Sequence, residues 1–422
     1  MNLYKLLLFH GLMVLTFVLQ SCEESRSIPQ FSDTVITVTE TGGSNPTVAI
    51  DGQSATYVVW VGETSENRFD VYLQKFDKSG RPLKNPVTVN DIPGDAAPHT
   101  MAPAKVVVNN AGDVFVVWQN NTNVEGRRFP ASDLRFARST DGGERFEDAI
   151  FVNDDAGKIL AGHTFQDMTV SENGIIYVSW IDSRNKAMMK HGAAGHGNNG
   201  PKSEIRVARS FDNGLSFEPS VVVDTTACPC CKTTIVCAEN GDVFIAWRRE
   251  YPGSIRDIAI AKSTNNGLSF SDPVRVHNDG WYIDGCPHNG PSLAIAEDGN
   301  VYVSWFTGSE AITGSYVAVS ENGGESFGQP IPIVAEKDIS AYRSIIVSDR
   351  PERLFIATES QINGQNQIHF LVQSVHESAN NVPVASTLLS SGILPAMAFA
   401  SSKIAIAWQQ DQSVRLQISD IN

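Results

Sequence analysis

A short segment ending in tryptophan returns along most of the chain and limits the fold more than any other feature. The copies are Tyr57-Val-Val-Trp60, Phe115-Val-Val-Trp118, Tyr177-Val-Ser-Trp180, Phe244-Ile-Ala-Trp247, Tyr302-Val-Ser-Trp305 and Ile404-Ala-Ile-Ala-Trp408. A degenerate copy, Leu354-Phe-Ile-Ala-Thr358, fills the one gap. β-Branched and aromatic residues dominate these segments, and no helical period runs between them. Each unit reads as four strands. A first strand such as Pro291-Ser-Leu-Ala-Ile295 leads through a glycine turn to the strand that ends in Trp. A third strand such as Tyr316-Val-Ala-Val-Ser320 and a tight turn then lead to the fourth.

Sheets repeated at intervals of 50 to 67 residues indicate an all-β protein, a single β-propeller of seven four-stranded blades, with six as the alternative count. The last unit runs out after its third strand, Val414 to Ser419, while Asp33 to Val38 alternates like a strand ahead of the first unit. That N-terminal strand is expected to supply the missing outer strand and hide two open edges. Residues 31–422 then form one domain.

Composition narrows the partners. With 41% apolar, 9% aromatic and only 19% charged residues, the chain is no disordered segment. Its 32 basic and 47 acidic residues leave a net charge of -15. Such a surface repels phosphate backbones, so no nucleic acid is expected as a partner. It would also repel an acidic ligand unless a local arginine cluster overrides the field.

The first residues read as an address. Lys5 precedes an uncharged run from Leu6 to Leu19, and Gln20-Ser21-Cys22 follows. Residues 1–21 have the layout of a secretory leader, and the Leu-x-Ser-Cys ending resembles a bacterial lipoprotein box. The resemblance implies lipidation of Cys22, a polar tether over residues 22–30, and an exported protein anchored to the cell envelope, with the outer membrane as its destination.

Four turns recur in register: Ser139-Thr-Asp-Gly-Gly-Glu-Arg-Phe146, Ser210-Phe-Asp-Asn-Gly-Leu-Ser-Phe217, Ser263-Thr-Asn-Asn-Gly-Leu-Ser-Phe270 and Ser320-Glu-Asn-Gly-Gly-Glu-Ser-Phe327. In each, an Asp or Asn can cap the turn's own backbone and a Gly can take the positive-φ position. This is the pattern of the Asp-box, and the chain from 31 to 422 resembles the sialidase-like, BNR-repeat propellers. There the box is structural and lies opposite the ligand site. The resemblance implies a glycan or other small ligand at the channel mouth, and exo-α-sialidase-like hydrolysis if the protein is an enzyme. Sialidases of this kind hold a carboxylate with three arginines and use a Tyr–Glu pair with an Asp acid/base. The family's first arginine has no counterpart in Ser44-Asn-Pro-Thr-Val-Ala-Ile50, so hydrolysis of ordinary α-sialosides is expected to be weak or absent. Arg249, Arg256 and Arg343 form an alternative trio, with Tyr342, Glu250 and Asp95 as companion candidates.

Cysteine and histidine collect in the connections between units. These carry His99, His163, Cys228-Pro-Cys-Cys231 and Cys286-Pro-His288, and a long connection adds His191 and His196. Cys228, Cys230, Cys231 and Cys286 with His288 are read as one unit on the mouth. Either they form two disulfides between neighbouring blades or a redox-active one, or they make a thiolate and imidazole site for copper or zinc, with His99, His163, His191 and His196 as further ligands. Cys237 lies along an inner strand and reads as a small core residue. The readings beside glycan binding are thus a metal-binding or redox protein and an interaction scaffold. One expectation is open to direct test: Cys22→Ala should move the protein from the detergent phase into the soluble exported fraction on phase partitioning, and unchanged partitioning would refute lipidation.

Overall fold

The computed structural model describes residues 29–31, 34–65, 67–188, 201–336, 339–340, 342–375 and 385–421. Cys22, His191 and His196 lie outside them. The second strand of each unit forms because both its faces are covered. Tyr57, Val58, Val59, Phe115, Val116 and Val117 are all fully buried, and a run that is apolar on both faces suits a strand sandwiched between neighbouring sheets.

Antiparallel sheets follow one another along the chain. The first is Gly43–Ile50, Thr56–Ser65, Arg68–Phe76 and Val87–Thr88 in that order. Lys105–Val108, Val114–Gln119, Leu134–Ser139 and Ile150–Phe151 make the second. An eight-stranded sheet then combines two groups of four. His163–Val170, Ile176–Asp182, Ser203–Ser210 and Val221–Ala227 meet Thr234–Cys237, Val243–Tyr251, Ile255–Ser263 and Val274–Arg275. A single residue pair, Ala227 with Arg249, joins the groups. Next come Ser292–Ile295, Val301–Thr307, Gly314–Ser320 and Ile331–Glu336, extended by Ile339–Ser340. Arg343–Arg350, Arg353–Ile362, Gln365–Ser374 and Ala385–Ser391 follow. The last sheet holds Ile393–Ala400, Lys403–Gln410 and Ser413–Asp420, and Ile36–Thr39 takes its fourth place beside Ser413–Asp420. The N-terminal strand is shorter than the alternation suggests and carries a register shift between Thr37 and Thr39.

The first strand of each group packs on the first strand of the next, and Ile393–Ala400 packs back on Gly43–Ile50. The apolar clusters follow the same order. Tyr57, Val59 and Leu73 of the first sheet share a core with Val116 and Trp118 of the second. Ala405, Ala407 and Leu416 of the last share one with Val58, Trp60 and Phe76 of the first. The chain is therefore all-β and β-propeller-like. Among the described residues no helix is long and apolar enough to cross a membrane.

The four recurrent turns share one set of bonds. Ser210 Oγ donates to Asp212 Oδ1 and accepts from Gly214 N, and Asp212 Oδ1 also accepts from Ser216 N. Ser139, Ser263 and Ser320 repeat the pattern with Gly143, Gly267 and Gly324. Gly214 has φ +81°, and a Cβ there would meet the Phe136 ring at 2.6 Å. Gly214→Ala should therefore destabilise the fold by about 1–3 kcal/mol through backbone strain and overpacking together. Gly241 has a similar φ in open space, so Gly241→Ala should cost only about 1 kcal/mol. Denaturant unfolding of both variants checks the difference.

Candidate functional site

The first strands enter the centre from one end, and their opening residues surround a cavity of about 160 Å³. It is lined from every group, including Asn45, Lys105, Asp167, Lys232, Asn289, Arg343 and Leu394. The strand ends here are bulged. Registers shift between Ser44 and Thr47, between Thr164 and Asp167, and between Ile393 and Ala396. Within those bulges Asn45, Phe165 and Leu394 have φ of 53°, 60° and 55°. A left-handed Phe or Leu is an outlier costing on the order of 1–3 kcal/mol, and such strain collects where a backbone must be aimed.

The cavity's chemistry is cationic. Lys105 pairs with Asp167 at 3.1 Å, and Arg343 pairs with Glu359 at 3.2 Å. Lys232 stands between them without a carboxylate of its own among the ion pairs of the described residues. It keeps some exposed surface, yet the channel walls crowd it. Burial, with repulsion from Lys105 and Arg343 and only partial relief from Asp167, pushes its ammonium down to about 7. Asn45 Oδ1 and Arg343 Nε are buried with no protein partner. Three basic side chains face two carboxylates, and Lys232, about half charged near neutral pH, can take up its full charge when a small anion enters.

Beside this cavity the Cys228–Cys231 turn gathers three sulfurs. Cys228 Sγ lies 3.7 Å from both Cys230 Sγ and Cys231 Sγ, and all three residues are buried. Thiol donors from Cys230 and Cys231, then the charges of Arg256 and Arg248, hold Cys228 well below the usual thiol range. Burial pushes Cys231 up to about 12. Gly290 lets the following mouth loop close on this turn: a Cβ there would lie 2.2 Å from the Lys232 carbonyl oxygen.

The structure separates several residues that the sequence grouped. Cys286 and His288 are exposed and stand outside the sulfur cluster. All five described cysteines are free, so the two-disulfide reading finds no bonded pair. His99 faces His288 closely enough for their charges to interact, and its ring packs edge-on against Phe165. Arg249, Arg256 and Arg343 have separate partners. Arg249 Nε donates to Asp224 and Thr226, whereas Arg256 Nη1 donates to Cys228 Sγ at 3.1 Å and faces Glu250 at 3.6 Å. Glu250 also pairs with Lys202. Asp95 is tied to Arg135 and Asn120. Tyr342 packs on Phe306 and under Arg343. Lys105, Asp167 and Lys232 escaped the sequence reading. The available signal was a charged residue at the head of an otherwise apolar first strand, as in Lys105-Val-Val-Val108.

His163 is a fixture of the frame. Its Nε2 lies 3.0 Å from Asp155 and 3.5 Å from Asp182, and Arg184 already bridges both carboxylates. Burial works against a charged imidazole here, but the bond to Asp155 and the charges of Asp182 and Asp155 outweigh it and raise the pKa. In return Asp155 falls to about 2 against the opposing effect of burial, helped by the bonds from His163 and Asn153. A histidine raised in the fold adds stability that is complete below about pH 6.5 and disappears as pH climbs through the folded value. Lys232, lowered to about 7, contributes a rise of stability with pH in the same window, so the check is a difference: the stability of wild type relative to His163→Asn, measured by denaturant, should fall from pH 6 toward 8. His163→Ala should cost about 1–3 kcal/mol, since the Ser132 carbonyl and Asp155 lose a buried partner while Arg184 still pairs both carboxylates.

No known protein family matches the chain by its sequence pattern, and no curated protein is similar to it in sequence. Solved structures are similar in fold. An ulvan lyase of a new polysaccharide lyase family, bound to -[GlcA(1-4)Rha3S]-, superposes with a TM-score of 0.60 at 11% identity over 92% of this chain and 96% of that one. A Hadza microbial sialidase gives 0.52 at 13% identity over 85% and 74%. A protein of unknown function from Dyadobacter fermentans gives 0.53 at 13% identity over 76% and 94%.

Proposed function

We propose that this protein is a seven-bladed, sialidase-like propeller closed by its N-terminal strand, and that it binds glycans through one acidic group, a carboxylate or sulfate seated at the channel mouth. The observation that carries the reading is the excess of basic side chains around the central cavity, Lys105, Lys232 and Arg343 against Asp167 and Glu359. Arg343 supplies a planar fork suited to a carboxylate. A space of about 160 Å³ is below the usual range for a whole ligand, roughly 300–1,000 Å³. The anionic group therefore enters, and the rest of the sugar lies across the mouth loops. Export and a lipid anchor at Cys22 complete the proposal and place the mouth within reach of external glycans. Similar folds in a sialidase and in a lyase bound to a GlcA-containing ligand support the class of ligand.

Binding, not sialoside hydrolysis, is the activity proposed. No arginine stands in Ser44–Ile50, and Arg249 and Arg256 are engaged by Asp224, Cys228 and Glu250.

Calorimetric titration of the full chain with uronate-, sialate- or sulfate-bearing oligosaccharides and their neutral counterparts tests this. At least one acidic glycan should bind, with its neutral counterpart at least tenfold weaker. Removing one clamp on a buried anion costs about 2–5 kcal/mol, so Arg343→Ala should weaken binding by roughly thirtyfold or more, and Lys232→Met should weaken it too. The same preparation should release no fluorophore from an α-sialoside. Equal affinity for acidic and neutral glycans, or indifference to Arg343→Ala, sinks the proposal.

A further inference from the structure

The three sulfurs beside the channel have no part in glycan binding, and their surroundings ask for a different occupant. Cys228, Cys230 and Cys231 come from one tight turn whose outer pair has the Cys-x-x-Cys spacing common among zinc ligands. Pro229 fixes φ inside that turn, and Cys228 N donates to the Arg248 carbonyl at 2.9 Å, anchoring it to the neighbouring strand. The three ligand atoms lie within 4.8 Å of one another, and two of the separations are 3.7 Å. Zinc–sulfur bonds of about 2.3 Å at tetrahedral angles put sulfurs about 3.8 Å apart. A planar three-sulfur site would spread them to about 4.0 Å with the same bond length.

The surrounding charges are compatible with that occupant. Arg248 is fully buried, and its nitrogens donate to the carbonyls of Asn289, Arg256 and Phe306. No carboxylate pairs with it among the described residues. Arg256 donates to Cys228 Sγ at 3.1 Å. A buried guanidinium with only neutral acceptors is costly unless an anionic group stands near it. Three thiolates around a divalent ion carry one net negative charge, which supplies that group. A single Cys228 thiolate beside two thiols would carry the same charge, so the sulfur geometry carries the choice of a metal.

We infer that Cys228, Cys230 and Cys231 form a three-thiolate zinc site balanced by Arg248 and Arg256, with the fourth tetrahedral position left to a non-cysteine ligand. On binding, each remaining thiol proton passes to solvent and three sulfur–zinc bonds form, with no change of oxidation state. The ion would brace the mouth loop that continues into Lys232, so the site sits next to the anion cavity while remaining independent of it.

The test uses the full chain, kept anaerobic and reduced, stripped by chelator and titrated with cobalt(II) and then zinc(II). One equivalent of cobalt should bind with a thiolate charge-transfer band that zinc abolishes. Cys228→Ser and Cys231→Ser should weaken zinc binding by about a hundredfold or more, whereas Cys237→Ser and Cys286→Ser should retain the wild-type affinity. Should a cysteine variant fail to fold, alkylation of the wild-type protein decides. In a denaturant concentration that opens the metal-free turn, bound zinc must slow alkylation of Cys228, Cys230 and Cys231 and leave Cys286 reactive. The inference is overturned by absence of the cobalt band, by equal alkylation of the three cysteines with and without zinc, or by retention of copper(I) where zinc is refused. Glycan titration of the Cys228→Ser variant separates this inference from the proposed glycan function, because that function can survive loss of the metal.

Discussion

A buried indole gains from an acceptor for its N–H, and the way three of the repeat tryptophans find one ties sheet to sheet, whereas Trp408 Nε1 is buried without a partner. Trp118 donates to the Asp95 carbonyl, Trp247 to Asp224 and Trp305 to Asp279. Each acceptor belongs to the strand or connection arriving from the preceding unit. The bond therefore stitches neighbouring sheets together at the end where their loops converge. It combines a large apolar body between sheets with a directional polar tip, which fixes register as well as separation. Trp180 turns instead to Asp182 on its own strand, and Asp182 in turn anchors Arg184 and His163. Much of the polar machinery near the mouth is thus occupied in holding the frame.

The same frame tolerates strain close to the axis. Left-handed Asn45, Phe165 and Leu394 occupy comparable places in three units, and the surrounding bonds hold them there. Asn45 N donates to Gln409, Leu394 N to Glu359, and the Phe165 carbonyl accepts from Thr233. Glu359 then has two tasks, since it also receives the Arg343 guanidinium. Backbone shape and cavity charge are coupled through that one carboxylate. Rigid sheets outside and aimed, strained ends inside are a workable arrangement for a site built from loops.

The fold was legible because its signals are local and repeated. Alternating apolar segments, terminal tryptophans and Ser-x-Asp/Asn-x-Gly turns each state the same unit, and agreement between copies compensates for the weakness of any one. The short N-terminal strand was legible too, through a missing partner at the other end of the chain. The site was far less so. Spacing shows which loops share a rim but says nothing of which carboxylate each arginine will choose, and Asp224, Cys228, Glu250 and Glu359 divided them. Cys286 looked like the partner of Cys228 because both lie in mouth connections, yet one faces solvent and the other lies in the core. Lys232 was hidden in plain view after Cys231, because only a three-dimensional count of neighbouring charges distinguishes a channel lysine from a surface one.

The pairing of Ile36–Thr39 with Ser413–Asp420 bears on the order in which the chain can be assembled. Thr37 and Arg415 are hydrogen-bonded partners 378 positions apart. The entropy of closing so long a loop grows only logarithmically, so the equilibrium tolerates it. The route does not, because contacts of such separation form late. Every earlier sheet can collapse in turn, but the first strand must wait, edge open, until the last strand is free to pair. Folding to the final state therefore waits until both of these strands are present. In the interval the molecule is a nearly finished structure with two adhesive ends.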